Sequence, residues 1–214
     1  MLSTQPDFLK GGIVLIDAEN GTVVRTLPLL INPERLSRSF EVKSTGEQTN
    51  RSAPLRLTGP AVETITIEAR LEVSDALARG ERTAVEEGVR PQLATLQMLI
   101  TPTSRTILDN DALQQSGALE IVPMNQPLAL FVWGAQNIAP VRVTSLSYVE
   151  NLHNSRLYPL VATVNMSLRV LSVDDLGVSS RGGALYLSYL RGIEASAERV
   201  PDGRASAMGI EGAL

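Results

Sequence analysis

The sequence predicts a mainly β, antiparallel fold covered by one helix, with a second helix near the C-terminus. Three observations carry this. Residues 64–73 alternate strictly between apolar and polar, the pattern of a half-buried strand. Residues 141–150 and 160–170 alternate in the same way on either side of a polar connection, which predicts a long β-hairpin. Behind Pro91, Leu93, Leu96 and Ile100 recur at helical spacing, with Pro102 as a stop.

Along the chain, residues 1–10 read as a loose arm. Gly11-Gly12 releases the apolar run Ile13 to Ile16, and Asn20-Gly21 supplies a hairpin turn because both residues tolerate positive φ. Thr22 to Ile31 is the returning strand, which Pro28 either weakens or places at an edge. Asn32 to Leu36 reads as a turn, and Ser39 opens a third strand. From Ser44 to Pro60 the composition turns to Ser, Thr, Gly, Gln, Asn and Pro, an exposed loop of about 17 residues, a length commonly kept for a function.

The following strand should turn Ile65, Ile67, Ala69, Leu71 and Val73 to the core, and Thr64, Thr66, Glu68, Arg70 and Glu72 away from it. Residues 75–87 are polar and Ala-rich; the helix over 89–101 should use Leu93 and Leu96 to cover a sheet or barrel end. Residues 103–126 are weakly patterned. Leu128 to Trp133, ended by Gly134, is a nearly continuous apolar strand with Phe131 and Trp133 assigned to the core. In the hairpin over 138–171, Val141, Val143, Ser145, Ser147 and Val149 form one face and Arg142, Thr144, Leu146, Tyr148 and Glu150 the other, while Val164 and Leu168 belong to the core. A strand from 160 to 171 would run about 40 Å, long enough to reach beyond one subunit. In the last helix, 184–197, Leu185, Tyr189 and Ile193 recur every four residues; Gly192 weakens it by about 1 kcal/mol relative to Ala. Such a helix needs docking, and a partner is the expected surface.

Composition removes many activities. At roughly 150 residues per domain, 214 residues make one core plus an appendage, divided here as an arm over 1–10, a β domain over 11–171 and an extension over 172–214. With no cysteine there is no disulfide, thiol nucleophile, zinc finger or iron–sulfur cluster, and one histidine cannot build a multi-histidine metal site. A net charge of -4 provides no field for gathering nucleic acid. The N-terminus does not read as a secretory signal and no apolar run is long enough to span a bilayer, so cytoplasmic synthesis and no membrane insertion are expected.

No catalytic, cofactor or metal constellation emerges. His153 sits in a polar connection without a Ser or Asp at triad spacing. Asp174-Asp175 reads as the acidic flank of a helix N-terminus, and Glu86-Glu87 are adjacent rather than facing. Neither GxGxxG nor GxxxxGK occurs, so no phosphate cradle forms. Arg51 and Arg56 in the long loop, with Lys43 at its base, lack the aromatic platforms a nucleic-acid site would need and read as protein contacts. Tyr148 and Tyr158 bracket the hairpin connection as candidate interface residues.

Several segments together resemble the tube-like proteins of contractile injection systems, which are phage-tail-like baseplate components. These are Asn32-Pro33 after a strand, the Leu-rich helix past Pro91, Leu130-Phe131-Val132-Trp133-Gly134, Pro140-Val141-Arg142-Val143-Thr144, and Ala162-Thr163-Val164-Asn165-Met166-Ser167-Leu168. The resemblance covers roughly residues 10 to 171. It implies a tail-tube-like fold of two packed antiparallel sheets, as barrel or sandwich, with a flanking helix and no catalytic centre. It further implies a ring of six copies joined at sheet edges, an adaptor between spike hub and inner tube that also touches baseplate proteins. Such a particle would assemble in the bacterial cytoplasm and leave by lysis. The family often carries a C-terminal LysM module, and 172–214 is too short to be one. A main inner-tube or tube-initiator subunit is the alternative within this class, and a small-ligand-binding β-barrel the alternative outside it. The interface residues expected are Arg51, Arg56, Tyr148, Tyr158, Leu185, Tyr189 and Ile193; the core is expected to hold Ile65, Ile67, Leu71, Leu93, Leu96, Phe131, Trp133, Val164 and Leu168.

Overall fold

The computed structural model describes residues 11–29, 33, 35–44, 57–115 and 127–200. The expected arm over 1–10, most of the long loop, and the segments 116–126 and 201–214 lie outside them. The strands are β1 (Gly12–Ile16), β2 (Val23–Pro28), β3 (Arg35–Glu41), β4 (Val62–Glu72), β5 (Leu128–Val132), β6 (Ile138–His153) and β7 (Pro159–Val170). The helices are α1 (Ser74–Ala78), α2 (Arg82–Glu87), α3 (Arg90–Gln97), α4 (Ser104–Gln115), α5 (Val173–Leu176) and α6 (Arg181–Ala197).

The fold is mainly β with antiparallel pairing throughout, as expected. Its two layers are wings of one sheet, in the order β2-β1-β5-β6-β7-β4-β3. The wings are continuous because β6 pairs with β5 over Ile138 to Val141 and with β7 from Val141 to His153. The sheet also curls. Leu27 and Leu29, at and just beyond the end of β2, line one small cavity of about 160 Å³ together with Leu71 of β4 and Leu96 of α3. Strands remote in the hydrogen-bonding order thus face each other across the core.

Strand β4 keeps the expected faces: Ile65, Ile67, Ala69, Leu71 and Val73 are buried, with Thr66, Glu68 and Arg70 exposed. Phe131, Val141, Met166 and Leu168 join Ile65 and Ile67 in the main core, where Leu168 and Ile65 have no exposed surface. A second cluster unites Leu71, Leu93, Ala162 and Val164 beneath the helices. Leu96 and Trp133 pack at the margins of these clusters and are only half-buried.

Several elements differ from the sequence expectation: α3 ends at Gln97 rather than at residue 101, leaving Ile100 exposed, and α6 begins at Arg181 rather than at residue 184. The third strand begins at Arg35 rather than Ser39, because Arg35 to Ser39 already pair with β4 residues Glu68 to Thr64. Residues 104–115 form α4 although their apolar pattern is weak; the Thr103 hydroxyl accepts from the Thr106 N–H at 3.2 Å and helps start it. The single alternation expected through 141–150 breaks at a bulge between Val143 and Ser145. One extra residue exchanges the two faces of everything beyond it. Leu146 and Tyr148 therefore become the half-buried residues, and Val149 is exposed.

The helical layer is fastened to the hairpin at Gly88. Its φ is +59°, and a Cβ there would sit 2.0 Å from the Pro159 carbonyl oxygen. The next residue, Val89, donates its N–H to that carbonyl at 2.8 Å. The Asn154 side chain adds a bond to the Val85 carbonyl at 3.3 Å. At the other end of β7, Ser172 and Asp175 form a capping box that starts α5. Partial burial would raise the Asp175 carboxyl, but the Ser172 N–H and the charge and hydrogen bond of Arg169, with Lys43 beyond, bring it below its ordinary value. Gly88→Ala should cost about 2–4 kcal/mol, since it combines positive φ with backbone collision. Thermal unfolding checks this: an unchanged melting temperature would contradict the tight α2–α3 to β7 approach.

Candidate functional site

Among the described residues no group of three or more His, Asp or Glu side chains is placed to hold a metal ion. His153 ends β6 with Nε2 3.8 Å from the Glu150 carboxylate, both at the surface. Asp174 is bound by Lys43 at 2.8 Å and Asp175 by Arg169 at 2.8 Å. Both carboxylates thus anchor the short helix α5. No described helix is long and apolar enough to cross a membrane, which leaves strand-built spans unaddressed.

One charged network is buried. Glu63, at the start of β4, is 5% exposed. It continues the inward face of β4, where the alternation would otherwise place an apolar residue. The Arg38 guanidinium from β3 donates to it at 2.7 Å, and the Tyr189 hydroxyl from α6 reaches its two oxygens at 3.1 and 2.9 Å. Arg38 also donates to the Tyr189 oxygen at 2.5 Å. Burial first, then the Glu63 carboxylate, pushes the Tyr189 phenol up to about 12 despite the opposing Arg38 charge. These three residues bind an edge strand, its neighbour and the C-terminal helix into one unit.

Exposed apolar side chains stand at the two sheet edges and at the hairpin turn, among other places. β2 and β3 are the terminal strands, each paired on one side. On β2, Val23 is 63% exposed and Val24 is exposed beside it; on β3, Phe40 is 61% exposed, with Val42 just beyond the strand. Exposed apolar edges are templates for another strand.

The β6–β7 turn projects two leucines in left-handed backbone conformation. Leu152 has φ +53° and Leu157 φ +63°. They are 69% and 82% exposed. The Asn154 side-chain oxygen accepts from the Arg156 and Tyr158 N–H groups at 2.9 Å and closes the turn around Leu157. Glycine or asparagine would take such positions with less strain, which costs a leucine about 1–2 kcal/mol. Between this turn and α3 opens a cleft of about 540 Å³. Arg90 stands 5.2 Å over the Tyr158 ring, and Gln97 donates to the Tyr148 hydroxyl at 2.6 Å.

The structure thus brings Tyr148 and Tyr158 together on one cleft. Arg51 and Arg56 lie outside the described residues. Leu185 is half-buried in a small cluster with Leu128 and Leu176, and Ile193 is exposed. Tyr189 requires a correction: at 4% exposure it is part of the subunit's own core, next to Tyr186. Its hydroxyl goes to Glu63, so the partner surface expected for it is supplied intramolecularly. Sequence reasoning passed over Glu63 because a carboxylate at a strand start reads as solvated. The signal was positional, since Glu63 falls two residues before Ile65 on the inward face. Arg90 and Arg156 were missed because 66 positions separate residues that only the tertiary fold unites on one cleft.

No family model matches the sequence, and no curated protein matches it. Solved structures of limited likeness include two from gene transfer agent particles. One is the tail of an empty gene transfer agent particle refined with C6 symmetry, with 14% identity, 75% of this chain and 90% of that chain covered, and a TM-score of 0.30. The other is the virion of a native gene transfer agent particle, with 13% identity, the same two coverages and a TM-score of 0.28. Likeness of this degree does not establish a shared fold.

Tyr189→Phe should lower stability at neutral pH by about 1–3 kcal/mol, because the buried Glu63 loses a donor. The native phenol holds its proton more tightly than the ordinary value of 10.0, so its contribution is intact below pH 10 and is lost as pH rises through about 12. Denaturant unfolding between pH 7 and 12 should show the wild type losing stability over that window and the variant losing less. Equal alkaline slopes would sink this assignment.

Proposed function

We propose that the chain is a structural subunit of a phage-tail-like contractile injection particle. Copies join β2 edge to β3 edge in a ring of six between the spike hub and the inner tube. The observation that carries this reading is the pair of apolar-bearing sheet edges, unpaired among the described residues, at opposite ends of one curled sheet. Two different edges on each copy make a head-to-tail contact, and head-to-tail contacts either close into rings or run on as filaments. The segments that resemble injection-system tube proteins supply the kind of particle, and the projecting β6–β7 turn supplies a contact toward the adjacent layer. Assembly in the bacterial cytoplasm belongs to the same reading.

A small-ligand barrel is disfavoured by the interior, which Phe131, Ile65, Ile67, Leu168 and Val141 fill, and by a sheet whose edges do not pair with each other. The main-tube role is the second reading within the class. It gains from the burial of Tyr186 and Tyr189, since a C-terminal helix packed on its own core leaves less for the extra contacts that an adaptor would make.

Val24→Asp and Phe40→Asp test the ring. Both side chains are exposed, so each monomer should stay within about 0.5 kcal/mol of wild type. Ring formation in the presence of the other particle proteins should collapse with either variant, read by electron microscopy and light scattering. Wild-type particles carrying a single copy, or rings indifferent to both substitutions, would defeat edge pairing.

A further inference from the structure

We propose that the cleft between α3 and the β6–β7 turn recognises an acidic, apolar-flanked segment of another protein in the particle. The inference rests on the assembly reading for the source of that segment.

The cleft is rich in donors. Arg90 and Arg156 both line it, and neither guanidinium has a carboxylate partner among the described residues. Because the Tyr148 oxygen already accepts from Gln97 at 2.6 Å, its own proton is left for an incoming acceptor. Arg90 is held over the Tyr158 ring at 5.2 Å, which presents its N–H fork at lower entropic cost. A site built from N–H and O–H donors asks for an oxyanion, and guanidiniums bind carboxylates in paired geometry. Glu150, on the same lining, adds a carboxylate to the cleft, which disfavours a polyanion.

The apolar half of the specificity comes from Leu157. It lines the same cleft while 82% exposed, in a left-handed conformation at φ +63°. A strained backbone displaying an exposed leucine beside two arginines that have no carboxylate partner among the described residues is understandable if a partner covers it. Nucleic acid would use the arginines but leave Leu157 without a function, and a free inorganic anion would do the same.

The test uses the full chain and two dye-labelled tetrapeptides, acetyl-Leu-Asp-Glu-Leu-amide and its uncharged counterpart acetyl-Leu-Asn-Gln-Leu-amide, followed by anisotropy. The acidic peptide should bind at least about tenfold more tightly, and Arg156→Gln should remove about tenfold of that affinity while Arg25→Gln, outside the cleft, changes nothing. Leu157→Asn should weaken binding of the acidic peptide while the melting temperature holds or rises. Equal affinity for the two peptides would overturn the proposal. So would no binding at about 1 mM, an Arg156→Gln variant that binds like wild type, or tighter binding of an oligothymidylate than of the peptide. The two readings fail separately. Selective peptide binding without ring assembly keeps the cleft and removes the particle as the segment's source; rings without peptide selectivity remove the cleft and keep the ring.

Discussion

Hydrogen bonding on both edges of β6 is the constraint on which the rest of the structure depends. Its first residues complete the β2-β1-β5 wing, and its remaining length pairs with β7. The bulge between Val143 and Ser145 falls just past the point where the pairing changes partner. Bulges bend a strand and increase its twist, which suits a sheet that must curl until Leu27 and Leu71 line one cavity. Among the described residues such a sheet keeps two outer edges, which carry the exposed apolar Val23, Val24 and Phe40 together with the exposed charges of Arg25, Arg35 and Glu41.

The same curl explains the buried charge. Glu63 and Arg38 stand on adjacent strands at one end of the sheet, where α6 crosses. A carboxylate there is tolerated because a guanidinium and a phenol satisfy it, whereas an unpaired one would cost several kcal/mol. Specific hydrogen bonds, rather than apolar contact alone, therefore fix how α6 lies on the sheet. That leaves the C-terminal helix as a structural member of the subunit.

At the turn, the packing of the helices and the shape of the cleft are coupled. Gly88 lets the α2–α3 junction approach Pro159, and the Val89 N–H locks the approach. The same junction begins α3 with Arg90, which then lies over Tyr158. A contact that serves folding thus sets the cleft wall opposite Arg156 and Leu157. The turn's two left-handed leucines are exposed and cost stability without burial to offset it.

The sequence by itself determined the inward faces of β4 and β7, the Asn20-Gly21 turn and the placement of α3 behind Pro91. Each of these depends on a local period or a local φ preference, which neighbouring residues alone express. It also set aside cysteine and multi-histidine chemistry by composition. Only the tertiary structure decided the rest. A bulge leaves no mark in an alternating pattern, so the exchange of Leu146 and Tyr148 for Val149 was invisible until β6 met β7. An apolar helical stripe says that a face will be covered and never by what, so Tyr189 could belong to a partner until Glu63 and Arg38 claimed it. The cleft joins Tyr148 and Arg156 of the hairpin to Arg90 and Gln97 of α3, and no spacing rule connects positions that meet only because a curled sheet brings a helix and a hairpin turn to the same place.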